Sequence, residues 1–150
     1  MIRRAISDDN PPIDQLVETK ILPYIVNLLD GSYNAYDQLV IECLWISANV
    51  ASGQISHINH LLELGIVPKA MNLLLHKNLE IKDNAVWVFG NIAGESIEFR
   101  DQLLETELVM HLEYIVNDKS YEMTDELIKD IAWLISLLFR GPPYPVFQKV

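Results

Sequence analysis

Residues Leu44 to Gly53 read LWISANVASG, and Val86 to Glu95 read VWVFGNIAGE. Both follow one pattern: an apolar residue, Trp, three residues, Asn, an apolar residue, Ala and a small residue. Trp45 and Trp87 are 42 residues apart. A third tryptophan, Trp133, follows 46 residues later in AWLISLLFRG, Ala132 to Gly141. All three tryptophans of the chain therefore share one slot of a 42–46-residue period. A shorter apolar segment precedes each: ILPYIVNLL, IVPKAMNLLL and LVMHLEYIV. Two of these carry Pro at their third position, Pro23 and Pro68.

Between these landmarks the apolar residues recur at three and four. Examples are Ile21, Ile25, Leu28 and Leu29; Leu39, Cys43, Ile46 and Val50; and Leu127, Ile131, Leu134 and Leu138. That spacing lays an apolar stripe along one side of a helix. Breakers at Pro11-Pro12, Gly31, Gly53, Gly65, Gly94 and Gly141-Pro142-Pro143 divide the helices. Thr124 marks the start of the last long one. A period of about 40–47 residues with three helices per unit is the armadillo and HEAT pattern, in which each unit buries its apolar face only against its neighbours. The expected fold is all-α, a right-handed armadillo-repeat solenoid of three repeats of three helices. The units are placed at about 11–52, 54–95 and 97–140, with partial units at 1–8 and 142–150. Their long third helices are expected over 36–52, 79–94 and 122–140.

The chain has 150 residues, with 21 acids against 11 bases and a net charge of -10. Half of it is apolar, which excludes an acidic disordered tail. The scattered bases make no face for nucleic acid, whose phosphates need neutralising. Acidity instead attracts basic partners. Cys43 is alone and lies in an apolar run, as a buried inert thiol would. No apolar stretch approaches the roughly 18 residues of a membrane span, and no apolar signal core opens the chain. His57 and His60 are three apart but lack the further ligands zinc needs, and are expected at the surface near a repeat junction. Glu122, Asp125 and Glu126 suit the start of a helix, where the dipole favours acids. No nucleophile elbow, phosphate loop or metalloprotease motif is present. The reading is a binding module with no catalytic residues, no metal and no cofactor.

Positions i and i+4 share a helix face. Trp45 therefore stands over Asn49, and Trp87 over Asn91. With the long helices side by side, the result is a ladder of Trp and Asn rows on a concave surface. An Asn amide both donates and accepts, so it clamps a peptide backbone without reading its sequence. Adjacent indoles wall a slot for a Lys or Arg stem, with cation–π attraction of about 0.5–2 kcal/mol. An extended basic peptide fits such a ladder.

Three stretches carry a more specific resemblance: NPPIDQLVETKILPYIVNLL with LWISANVASG, then AVWVFGNIAGESIEFRDQL, then AWLISLLFRGPPYP. They resemble the second, third and fourth armadillo repeats of the importin-alpha (karyopherin-alpha) family, over about residues 4–146. The resemblance implies a binding site for nuclear localisation signals. It places the family's tryptophans at Trp45, Trp87 and Trp133 and its asparagines at Asn49 and Asn91. Gly53 matches the glycine that helps receive the key lysine. Glu95 replaces the Asp that pairs with that lysine, and Asn84 replaces a Gln one turn before the second Trp. Asp130 stands where the family has Asn, three residues before Trp133.

Two departures from the family's pattern weaken such a site. Leu137 replaces the fourth-repeat Asn, and Ile58 replaces a Thr that helps hold the key lysine. The expected affinity falls about tenfold below that of a full receptor. The family's basic arm, which binds importin-beta, is reduced here to Arg3 and Arg4, and the family's later repeats are not found. Importin-beta is therefore not an expected partner. The expected partners are the basic localisation signals of cargo proteins, in cytoplasm and nucleus, with no nucleic acid and no membrane. Uncapped repeat faces at the two ends predict some self-association. The alternative reading is a divergent armadillo scaffold or fragment that binds proteins without recognising such signals.

Overall fold

The structure, a computed structural model, describes residues 13–33 and 35–145. The partial unit expected at 1–8, with Arg3 and Arg4, lies outside them, as do residues 146–150 of the second partial unit. Among the described residues all regular structure is helical, in nine helices. They run α1 Ile13–Glu18, α2 Leu22–Asn27, α3 Asp37–Ala51, α4 Ile55–Glu63, α5 Ile66–Leu74, α6 Leu79–Glu95, α7 Ile97–Leu104, α8 Leu108–Asn117 and α9 Asp125–Leu138. A short, short, long order repeats three times. The long helices α3, α6 and α9 fall within three residues of the spans the periodicity predicts.

Local chemistry sets the boundaries. Pro23 and Pro68 sit in the first turns of α2 and α5, where the missing N–H has no helical partner to lose. Gly65 links α4 to α5 in the left-handed region, at φ 75°, which costs little only for a residue without Cβ. Asn78, Ser96 and Thr124 cap α6, α7 and α9, their side-chain oxygens accepting from the backbone N–H of Glu80, Phe99 and Leu127. Asp125 and Glu126 occupy the first turn of α9, as the dipole favours.

One core runs the length of the stack. α6 lies at its centre, packed against both α3 and α9. Its Ile81, Ala85, Val86, Val88, Phe89, Ile92 and Ala93 are all buried. Most of the predicted apolar stripes face this core: Leu127, Ile131, Leu134 and Leu138 of α9 are buried, as are Cys43, Ile46 and Val50 of α3. Leu39 is exposed instead, in the first turn of α3.

Burial, helped by the charge of Glu42, pushes the Cys43 thiol up to about 11. Since the thiolate is the reactive form, Cys43 is expected to react with a disulfide reagent only as fast as the chain unfolds. Absorbance-monitored labelling, with and without denaturant, checks this.

His57 corrects the expectation of a surface histidine. It is buried, and its Nε2 lies 2.7 Å from Asp14 Oδ1. Its Nδ1 accepts the backbone N–H of Gln54 at 3.0 Å, so Nε2 carries the proton and donates to Asp14. The pair ties α1 to α4.

Candidate peptide-binding site

The repeated Trp slot falls on α3, α6 and α9, three neighbouring long helices. None of its predicted Trp or Asn residues is buried. Trp87 is 43% exposed; Trp45, Asn49, Asn84, Asn91, Asp130 and Trp133 are half-buried. Glu95 is exposed at the last turn of α6.

Trp87 is the junction of the site. Its ring lies 5.2 Å from that of Trp133, tilted by 43°, an arrangement aromatic pairs favour. Its Nε1 donates to Asp130 Oδ2 at 2.7 Å. Asp130, expected from its position to add charge, is thus fixed by the indole it adjoins.

Gly90 makes this pair fit. A Cβ there would sit 2.1 Å from Trp133 Cζ3, so the indole of α9 rests on bare backbone of α6. Four residues on, Leu137 lies over Gly94, with 3.7 Å to the site of a Cβ there. The residue that lacks the family's amide therefore packs between helices.

The two asparagines are committed differently. Asn91 Nδ2 crosses to α3 and donates to the Ala48 carbonyl at 2.8 Å. Asn49 Nδ2 donates to the Trp45 carbonyl of its own helix at 2.8 Å. Asn84 does the same to Glu80. Each amide has a second N–H and a carbonyl oxygen. Gly53 follows the end of α3, where a Cβ would meet His57 Nδ1 at 2.4 Å. Its small size is thus required by the buried histidine. Ile58 is fully buried, so its side chain belongs to the core and offers nothing to a ligand.

Sequence reading missed two residues. Gly90 occupies the slot held by Ala48 in the first unit and Ser136 in the third, and that recurring small residue was the available signal. Asp83 lies one turn before Trp87 on the same face. Burial pushes its carboxyl up to about 7, helped by a hydrogen bond and charge from Asp130 and by the charges of Glu126 and Glu80. Its Oδ1 is buried without a hydrogen-bond partner.

The triplet Phe99-Arg100-Asp101, within the stretch AVWVFGNIAGESIEFRDQL, is structural. Arg100 is buried; Nε and one terminal nitrogen donate to Asp101 at 2.8 and 2.7 Å. The other donates to the carbonyls of Arg140 and Pro143. Arg140 in turn donates to the Gly94 carbonyl at the end of α6.

Residues 56–94 match the Armadillo/beta-catenin-like repeat family. Across nearly its whole length the chain is similar to importin alpha subunits. It is 33% identical to importin subunit alpha-6 of Arabidopsis thaliana, over 98% of this chain and 27% of that protein. It is 37% identical to importin subunit alpha-4 of the same plant, over 99% and 27%. The chain thus spans about a quarter of the length of these relatives. Among solved structures it is similar to a designed armadillo repeat protein in complex with the peptide (KR)4. The TM-score is 0.78 at 28% identity, covering 91% of this chain and 54% of that one. The fold is an armadillo solenoid.

Proposed function

As the chain is an importin-alpha-like run of armadillo repeats, we propose that it binds extended basic peptides, of the nuclear localisation signal kind, across α3, α6 and α9. The observation that carries this is the half-open Trp87–Trp133 pair with Asp130 fixed at its edge. Indoles in that position receive the methylenes of a Lys or Arg stem, and the carboxylates beside them meet its charged head. Asn49, Asn84 and Asn91 each keep an N–H and a carbonyl oxygen for a peptide backbone. Trp45 and Gly53 extend the same line along α3, and Glu95 offers an exposed carboxylate at the end of α6. The names of the relatives and the (KR)4 ligand of the designed protein support peptide as the ligand class.

On this reading the chain is a binding module of nuclear protein import, working in cytoplasm and nucleus, with no reaction of its own. The net charge of -10 steers basic peptides toward it and makes binding salt-sensitive.

Titrating tryptophan fluorescence with (KR)4 tests the proposal. Saturable binding is expected, weakened at least about tenfold by Trp45→Ala with Trp87→Ala, the equivalent of about 1.4 kcal/mol. Unchanged affinity in the double variant, or no saturation below about millimolar, sinks it.

A scaffold role without signal-peptide recognition is favoured by one specific feature. Leu137 serves helix packing where an amide clamp is expected, beside the exposed Ile128 and Ile135 of α9 and Phe139 just after it. Concentration-dependent self-association by sedimentation, with no peptide binding, supports that role instead.

A further inference from the structure

Asp83 and Asp130 come together from neighbouring helices beside the half-open indole pair. Asp130 is held in place by the Trp87 N–H at 2.7 Å. Asp83, one turn before Trp87, is in hydrogen-bond reach of Asp130, and its Oδ1 is buried without a donor. Two carboxyls that share a hydrogen bond cannot both ionise cheaply. A buried acceptor with no donor is destabilising. One proton shared between the carboxyls removes both penalties.

The charges around Asp83 favour that proton. α9 brings Glu126 and Asp130, and α6 brings Glu80. The α3 acids Asp37 and Glu42 accept from Asn78 and Gln38. The nearby cations are engaged or face solvent. Lys82 donates to the Leu74 carbonyl, and Lys69 of α5 to Asn27. Arg100 of α7 reaches residues 140 and 143, and Lys129 is exposed on α9.

We propose that Asp83 and Asp130 are a proton-sharing carboxyl pair that exchanges its proton for the cationic head of a Lys or Arg side chain lying against Trp87 and Trp133. The inference rests on the basic-peptide reading of the same surface, and adds Asp83 to it. Below about pH 7 the pair in the free chain carries one negative charge. A bound cation draws out the second, and the proton goes to solvent. Binding of a basic peptide is therefore coupled to proton release, and affinity rises with pH through neutrality.

The sign for stability follows. Asp83 holds its proton up to about pH 7 when folded but only to about 3.9 when unfolded. The folded chain binds more protons in between, so this group's contribution falls as pH rises from about 4 to 7.

The test is calorimetric titration of the full chain with (KR)4 near pH 7, in buffers of different ionisation enthalpy. Release of about half a proton per peptide is expected, with affinity rising several-fold between pH 6 and 8. Asp83→Asn, nearly isosteric, should still bind, with no buffer dependence and a flat pH profile. Asp130→Asn, whose amide oxygen still accepts the Trp87 N–H, should likewise lose the buffer dependence, and should bind several-fold more weakly because it removes a carboxylate from the cation's place. Thermal unfolding of free wild type should weaken from pH 5 to 8 relative to Asp83→Asn. Binding without proton release, or the same release in Asp83→Asn, overturns the pair and leaves the peptide reading standing. No binding by wild type at any pH overturns both.

Discussion

Arg100→Ala is expected to lower the free energy of unfolding by about 3 kcal/mol, a drop of roughly 10 °C in melting temperature. The side chain is buried, yet it donates to the half-exposed Asp101 and to two backbone carbonyls near the end of the described chain. Hydrogen bonds to a charged group contribute about 1.5–3 kcal/mol each, and removing the guanidinium loses them together. Arg100→Lys should recover little, because a single ammonium cannot span a carboxylate and two carbonyls as the planar fork does. Urea denaturation followed by circular dichroism measures both. A loss under about 1 kcal/mol would show that residues 140–143 are held by other contacts.

Gly90→Val and Gly94→Ala should move in opposite directions, although both glycines lie on α6 one turn apart. At Gly90 a Cβ alone would fall 2.1 Å from one indole carbon of Trp133 and 2.5 Å from another. The ring is no flexible tip, so α9 or the indole must move. Overpacking of this kind costs about 1–3 kcal/mol, and a branched side chain lies at the upper end. The displaced indole also leaves Trp87, so a red-shifted emission and loss of (KR)4 binding are expected together. At Gly94 the nearest atom to a new Cβ is Leu137 Cδ1 at 3.7 Å, ordinary contact. Replacing a helical glycine there gains about 0.5–1 kcal/mol of backbone entropy. Equal responses at the two positions would show that Trp133 does not rest on α6 as described.

These residues mark the border of what sequence pattern conveys. The Trp slot, the long helices and the cap at Thr124 were legible because each depends on spacing along one segment. Gly90 was not singled out, because its meaning lies in an indole that arrives from 43 residues later. Asp83 was passed over for the same reason: a carboxyl one turn before Trp87 is unremarkable until α9 sets Asp130 against it. Phe99-Arg100-Asp101 lies within a stretch that carries the family resemblance, but only packing shows that Arg100 fastens residues 140–143. His57 lacks the companions of a zinc site and stands near a repeat junction, which suggests the surface, yet it is buried against Asp14. The missing Cβ of Gly53 is what lets it turn inward. Ile58 was read against a family hydroxyl, and its complete burial puts it in the core.

The bond from Asn91 to the Ala48 carbonyl has a consequence for ligand affinity. A free asparagine side chain samples several rotamers, and a ligand that grips it must freeze them, at about 0.5–1.5 kcal/mol for each mobile side chain. Asn91 is already frozen by a neighbouring helix, whereas Asn49 is tethered only to its own. Of the two rungs, Asn91 presents its remaining donor and acceptor in a fixed direction before any partner arrives. Its grip on a backbone should therefore carry the smaller entropic penalty.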